Sequence, residues 1–214
     1  MNETLILIAS FLSGSIPFGL FIGKLAGKDV LTEGSCNIGA TNVWRVCGWR
    51  YGIPVFLLDA LKGAVPVFVV RYIFETDTTN AWLEVSAGLC AILGHCFSPF
   101  LRFRGGKGMA TAAGATVLLL PYAAFVGIAT FACVFVWKKY ASLGSLSAVT
   151  VLLLICIFLD PGYSKETLPY CLFVSLLCTL AWWTHRTNIG RLLRGEENKM
   201  WRKSEAKETE IIKE

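Results

Sequence analysis

Six long apolar stretches, each nearly free of charge, make up most of this chain: residues 4–22, 51–70, 85–101, 109–137, 140–159 and 167–184. The first holds 19 uncharged residues, enough to cross a hydrocarbon core of about 30 Å at about 1.5 Å per helical residue. Only Glu3 flanks it on the N-terminal side, so it lacks the basic start of a cleavable signal peptide and reads as a retained first helix. The chain carries 20 Lys/Arg and 15 Asp/Glu, and 14 of these 35 charges follow residue 185. A soluble domain could not cover its surface with the 21 that remain. These numbers exclude an ordinary soluble enzyme, a disordered chain and a nucleic-acid binder. In lipid every backbone polar group must be satisfied internally, which predicts an all-α, polytopic integral membrane protein.

The stretch 109–137 decides the topology. Its 29 uncharged residues would make a helix of about 43 Å, longer than the core, and Pro121 lies near the middle. Read as two helices turning at Leu120-Pro121-Tyr122, it gives seven transmembrane helices. Loops 23–50, 101–108, 138–141 and 184–214 then share one side and hold 17 of the 20 Lys/Arg, against Arg71 and Lys165 opposite. Read as one helix, it splits the basic residues eight to eleven. The bias of Lys and Arg toward cytoplasmic loops selects seven helices, N-terminus outside and C-terminus cytoplasmic. Residues 1–197 form one membrane-embedded domain, and 198–214 form a charged cytoplasmic tail.

Eight cysteines and two histidines offer no CxxC pair and no zinc-ligand set, so no metal is expected. Three polar segments instead converge on the cytoplasmic face. The first, residues 28–45, is much longer than a connection needs. It offers Gly34, Ser35, Asn37, Gly39, Thr41, Asn42 and Arg45, with backbone amides free to turn toward an anion. Thr41 and Arg45, four apart, share a helical face. The second is Arg102-Phe-Arg104-Gly105-Gly106-Lys107-Gly108, a glycine loop opening a helix, without Walker spacing. In the third, His185 and Asn188 are three apart and face one way, and His185 is a candidate general base. Asp59 and Lys62, at i and i+3 inside the second span, read as a structural ion pair. Ser142 adds a hydroxyl beside the basic pair Lys138-Lys139.

An anion site on a membrane face fits a transferase or a transporter of an organic phosphate. A transporter needs a midplane site and polar groups through several spans. Here the polar groups crowd one face and the outer segment 160–165 is short, which favours the enzyme.

Gly14-Ser-Ile-Pro-Phe-Gly19, Gly34-Ser-Cys-Asn-Ile-Gly-Ala-Thr-Asn42, Leu57-Leu-Asp-Ala-Leu-Lys-Gly63, Gly94-His95, Phe103-Arg-Gly-Gly-Lys-Gly108 and His185-Arg-Thr-Asn-Ile189 resemble the bacterial acyl-phosphate:glycerol-3-phosphate acyltransferase family. The resemblance runs from residue 14 to about 197. It implies a seven-helix enzyme of the bacterial inner membrane, active on the cytoplasmic face. The implied reaction moves a fatty acyl group from acyl phosphate to the 1-hydroxyl of sn-glycerol 3-phosphate, giving lysophosphatidic acid and phosphate in phospholipid biosynthesis. Both substrates are small molecules, and no cofactor or nucleic acid is implied. The oligomeric state stays open, a monomer included.

By the same resemblance Ser35 and Arg45 are the important polar positions of the first motif. Gly105, Gly106, Lys107 and Gly108 form the motif for glycerol phosphate, and His185 and Asn188 serve activity. Glu197 takes an acidic structural position. Cys36 stands where the family usually has Gly, so its turn needs a conformation that Cys can accept. The mixed anhydride is already activated, so the protein has mainly to orient the hydroxyl and stabilise developing charge. Arg45, Arg104, Lys107 and the amides of residues 105–108 are placed for this. Either His185 or the phosphate of glycerol phosphate takes the proton, and Ser35 acts as a hydrogen-bonding group rather than a nucleophile.

Overall fold

The first apolar stretch is a broken span. In the computed structural model, which describes residues 2–73, 81–159 and 167–200, α1 (Glu3–Ser15) starts at Asn2, whose side chain accepts a hydrogen bond from the Thr4 N–H at 3.1 Å. Pro17 has no N–H to continue the ladder, and the helix resumes as α2 (Phe18–Leu25). Carbonyls near the break are satisfied from far along the chain. Lys62 Nζ donates to the Ile16 carbonyl at 2.9 Å, and Ser98 Oγ donates to the Ser15 carbonyl at 2.7 Å.

A long loop leads to α3 (Ala40–Cys47), and Gly48 joins it to α4 (Trp49–Tyr72). On α4 the usual pattern is turned inside out. Ile53, Leu57, Leu61, Val65, Phe68 and Tyr72, spaced three or four apart, form one exposed apolar stripe. Asp59 and Lys62 are buried on the other side with Val55, Pro66 and Val70. Such a helix is stable with lipid outside and polar groups paired within.

After α5 (Ala81–Cys96) and a 3₁₀ turn (Pro99–Leu101) come α6 (Met109–Leu119) and α7 (Pro121–Lys138). The stretch 109–137 is therefore two helices. Leu120 leaves helical geometry at φ −141° and ψ 69°, and Pro121 opens α7 at its first position, where its missing N–H costs nothing. α6 is only about 16 Å long. Its C-terminal carbonyls need a partner, and Arg71 donates to the Leu118 carbonyl while pairing with buried Glu84.

The chain ends in α8 (Ala141–Leu159), α9 (Leu168–Thr184) and α10 (Arg186–Leu193), the last bent 59° from α9. Among the described residues the regular structure is all helical. Five segments are long and apolar enough to cross a membrane: Glu3–Leu25, Trp49–Ile73, Ala81–Leu101, Pro121–Lys138 and Ala141–Phe158. The bent pair α9–α10 makes a sixth, and a count of seven requires the short α6 as well. Residues 160–165 and 201–214, the expected outer segment and most of the expected tail, lie outside the described residues.

The core gathers Ile92 of α5, Ala115 of α6, Leu152 of α8 and Phe173, Val174 and Leu177 of α9. α1 lies on α5 with backbones touching: a Cβ at Gly14 would stand 2.0 Å from the Ala91 carbonyl oxygen. Small residues permit this approach where lipid supplies no hydrophobic drive between helices.

Candidate active site

A cavity of about 480 Å³ opens among α3, α4, α6, α7 and α8. One end is polar, built from α3, the loop before α6, the start of α8 and the bend between α9 and α10. The rest is an apolar arm lined by Ile53 and Phe56 of α4, Ile128, Phe131 and Phe135 of α7, and Leu152 of α8. Along α7 the lining runs from Phe135 down to Ala124, a depth of about 16 Å.

At the polar end Lys107 donates a hydrogen bond to the side-chain oxygen of Asn188. Asn188 Nδ2 donates to Glu197 Oε1 at 2.6 Å, and Ser142 Oγ donates to the same oxygen at 2.9 Å. Arg191 Nε donates to Glu197 Oε2 at 2.9 Å. Burial would raise the Glu197 carboxyl, but the hydrogen bonds from Arg191, Asn188 and Ser142 together hold it below the usual carboxylate range. Burial pushes Lys107 down to about 8, with Glu197 opposing the shift and Arg191 and Arg45 adding to it. The Arg45 guanidinium is likewise lowered, first by burial, with Glu197 opposing. Its Nη1 and Nη2 reach Asn42 Oδ1 and the Asn198 carbonyl at 3.5 Å, and its Nε–H is buried without a partner among the described residues.

His185 lies just past the last residue of α9 and is 2% exposed. Its Nδ1 sits 2.8 Å from the Ala181 carbonyl, an atom that only accepts, so Nδ1 carries the proton and Nε2 carries the lone pair. Burial, followed by the Lys107 cation, pushes its pKa down to about 4, leaving the ring neutral.

The first loop is held by Asn42. Its Nδ2 donates to the carbonyls of Val30, Glu33 and Asn37, and its Oδ1 accepts the Ser35 N–H at 2.7 Å. The amide of Asn42 is thus spent on the loop even though the residue borders the cavity. Asn37 accepts the Gly39 N–H and borders the cavity with Ser35. Thr41 and Arg45 share the cavity face of α3, as their spacing implies. Gly34 (φ 66°) packs against Asn42, outside the cavity lining. Cys36 is exposed at φ 54°, in the left-handed region that favours Gly, so the turn keeps the glycine geometry instead of taking the conformation that Cys was expected to accept.

The glycine loop divides its roles. The Gly105 N–H donates to the Cys96 carbonyl and the Gly106 N–H to the His95 carbonyl, each at 3.0 Å. These two amides close the C-terminus of α5 and are not aimed at the cavity. Lys107 and Gly108 line the cavity where α6 begins, and Arg104 is exposed away from it.

Asp59 also lines the cavity, with Lys62 Nζ 2.8 Å from its Oδ1. Ser145, whose hydroxyl the sequence places on the same face as that of Ser142, lines the cavity too, and His95, Arg191 and Asn198 belong to the surroundings although the sequence reading gave them no place in the site. His95 had a visible signal, being one of only two histidines and part of a quoted motif. The chain stays on the body past Glu197: Met200 is buried, and its N–H donates to the Lys139 carbonyl at 3.0 Å.

This chain is similar to known proteins along most of its length. A curated glycerol-3-phosphate acyltransferase of Aquifex aeolicus is 38% identical over 199 residues, spanning 93% of this chain and all of that protein. One from Desulfotalea psychrophila is 40% identical over 196 residues, covering 92% of this chain and 96% of its own. The crystal structure of PlsY (YgiH), an integral membrane glycerol 3-phosphate acyltransferase, in its glycerol 3-phosphate form, superposes with a TM-score of 0.82 at 37% identity. It covers 92% of this chain and 94% of PlsY, and the lysophosphatidic acid form gives 0.80. The glycerol-3-phosphate acyltransferase family matches residues 4–195, and this chain belongs to that family of membrane acyltransferases.

Proposed function

We propose that this enzyme transfers a fatty acyl group from acyl phosphate to the 1-hydroxyl of sn-glycerol 3-phosphate, releasing lysophosphatidic acid and phosphate. One observation carries the reading: a single cavity joins a cationic end, with Arg45 and Lys107, to an apolar arm about 16 Å deep. A phosphorylated head and a fatty chain fit together there. PlsY has been crystallised in a glycerol 3-phosphate form and a lysophosphatidic acid form, which supports both substrate and product.

In this mechanism Lys107, the unpartnered Nε–H of Arg45 and the first amides of α6 hold phosphate oxygens. Ser35, Thr41 and Ser142 offer hydroxyls to the glycerol phosphate, with Asn37 and Gly108 beside them. Asn188, fixed between Lys107 and Glu197, holds the cation in place. Attack of the 1-hydroxyl oxygen on the acyl carbon breaks the bond to the phosphate oxygen. Charge developing on the carbonyl and on the leaving phosphate falls within reach of the two cations. A ring with a pKa of about 4 is a weak proton store. The phosphate of glycerol 3-phosphate therefore takes the hydroxyl proton, and His185 Nε2 orients the hydroxyl by accepting a hydrogen bond.

The same reading places seven spans in a bacterial inner membrane, α6 counted among them and shielded by its neighbours. The N-terminus is outside, and the site is on the cytoplasmic face. Contacts joining Lys107 to Asn188, Arg45 to Asn198 and Lys139 to Met200 support it, because they bring the four basic segments to one end. Residues 1–197 act as one acyltransferase domain on which Asn198 and Met200 still pack, and the rest of 198–214 acts as a charged tail. Enzyme reconstituted in bilayers with acyl phosphate and glycerol 3-phosphate is expected to form 1-acyl-glycerol 3-phosphate and phosphate in equal amounts. Glycerol phosphate flux without that product would contradict the proposal.

A further inference from the structure

His95 has no part in the chemistry above, yet it is 3% exposed and borders the same cavity. It meets the glycine loop twice. Its carbonyl accepts the Gly106 N–H at 3.0 Å. Its ring lies so close over Gly106 that a Cβ there would stand 2.1 Å from Nε2, and the three nearest atoms all belong to the imidazole. On its other side the ring faces α4, with Nδ1 3.7 Å from Asp59 Oδ1. Asp59 pairs with Lys62 at 2.8 Å, and Lys62 donates to the Ile16 carbonyl at the α1–α2 break. A line of contacts thus runs from that break, through α4 and the imidazole, to the residue just before Lys107.

We infer that His95 is a positioning residue for glycerol 3-phosphate binding: wedged between Asp59 and Gly106, its ring sets the height of the loop from which Lys107 reaches Asn188. The inference rests on the acyl-transfer reading above. It explains why residue 106 has to be glycine, since any side chain would displace the ring that supports the loop. It also gives the Asp59–Lys62 pair a task beyond its own stability, because that pair fixes the far side of the imidazole. Backbone hydrogen bonds from Phe103 to the Ser98 carbonyl and from Gly105 to the Cys96 carbonyl tie the start of the loop, and the His95 ring is the side chain packed against Gly106. Arg102 and Phe103 are both left-handed, and Arg104 projects to the outside. Spoiling the geometry of one charge-assisted hydrogen bond to a bound phosphate is enough to cost about tenfold in affinity.

A double-mutant cycle between positions 95 and 106, read by steady-state kinetics for glycerol 3-phosphate in bilayers, tests it. His95→Ala is expected to raise KM for glycerol 3-phosphate about tenfold while kcat changes by less than about threefold, and His95→Gln to recover most of that affinity. Gly106→Ala alone is expected to cost about a hundredfold in kcat/KM, and His95→Ala added to it to restore about tenfold, because the clash is with the ring. His95→Val, which also lacks the ring, serves as the second truncation, with thermal unfolding as the check on folding. An unchanged KM in folded His95→Ala or His95→Val would overturn the inference, as would a double variant whose loss equals the product of the two single losses. Wild-type enzyme inert toward acyl phosphate would overturn the acyl-transfer reading together with this role. Active wild type with a flat cycle would overturn this role alone.

Discussion

Lys107 and Asn188, 81 residues apart in sequence, are joined by a side-chain hydrogen bond at the polar end of the cavity, and Glu197 holds Asn188 from the other side. The Glu197 carboxylate is thereby kept one residue away from the cation. Lys107 is oriented without being neutralised, as the phosphate-binding role proposed for it requires.

Because burial brings Lys107 down to about 8, kcat/KM for glycerol 3-phosphate is expected to fall as pH rises through that value. The sign follows from the charge: the ammonium binds phosphate, and the amine formed above its pKa does not. Lys107→Arg keeps the cation and is expected to move this alkaline fall beyond pH 9, at some cost in geometry. Profiles of kcat/KM from pH 6 to 10 check both. An unmoved fall in the Arg variant would assign it to another group.

Glu197 raises the pKa of both Lys107 and Arg45, so Glu197→Gln is expected to shift the alkaline fall to lower pH. It also weakens the hydrogen bonds from Ser142, Asn188 and Arg191, for an expected loss of about tenfold in kcat/KM at pH 7. The same pH series reads both effects, and a shift to higher pH would contradict the arrangement.

Asp59→Ala leaves Lys62 buried with the Ile16 carbonyl as its remaining hydrogen-bond acceptor, and is expected to destabilise the protein by about 3–5 kcal/mol. Asp59→Leu combined with Lys62→Met is expected to recover part of that loss, because no lone charge stays buried. Thermal unfolding in detergent ranks the variants. Equal stability of the single and double variants would rule out a paired charge.

Cys36→Gly is expected to raise stability by about 0.5–1 kcal/mol, since a left-handed non-glycine residue costs about 1–2 kcal/mol and the added chain freedom of Gly returns part of it. Cys36 is exposed, so little packing is lost. A lower midpoint of unfolding in Cys36→Gly would count against strain at this turn.

Much of the architecture can be read from residue order alone. Pro121 inside an over-long apolar stretch, together with the one-sided basic loops, announces the split between α6 and α7. The break at Pro17 is harder to see in the sequence. Its stretch is apolar throughout, and the lysine that makes the break tolerable lies 46 positions away. Spacing also reveals which residues share a face, as Thr41 with Arg45 and His185 with Asn188 border one cavity. It does not reveal which polar groups are already engaged. Asn42 is used by its own loop and the amides of Gly105 and Gly106 by the end of α5, because those carbonyl partners are set by tertiary packing. The apolar arm is equally hidden, being assembled from single faces of α4, α7 and α8.

The most direct measurement compares donors. Purified enzyme in bilayers receives labelled glycerol 3-phosphate with either acyl phosphate or acyl-CoA of the same chain length, and 1-acyl-glycerol 3-phosphate is quantified. Rapid product formation with acyl phosphate, at least about a hundredfold faster than with acyl-CoA, is expected if the cationic end is built to stabilise a departing phosphate. Equal or faster transfer from acyl-CoA would contradict it.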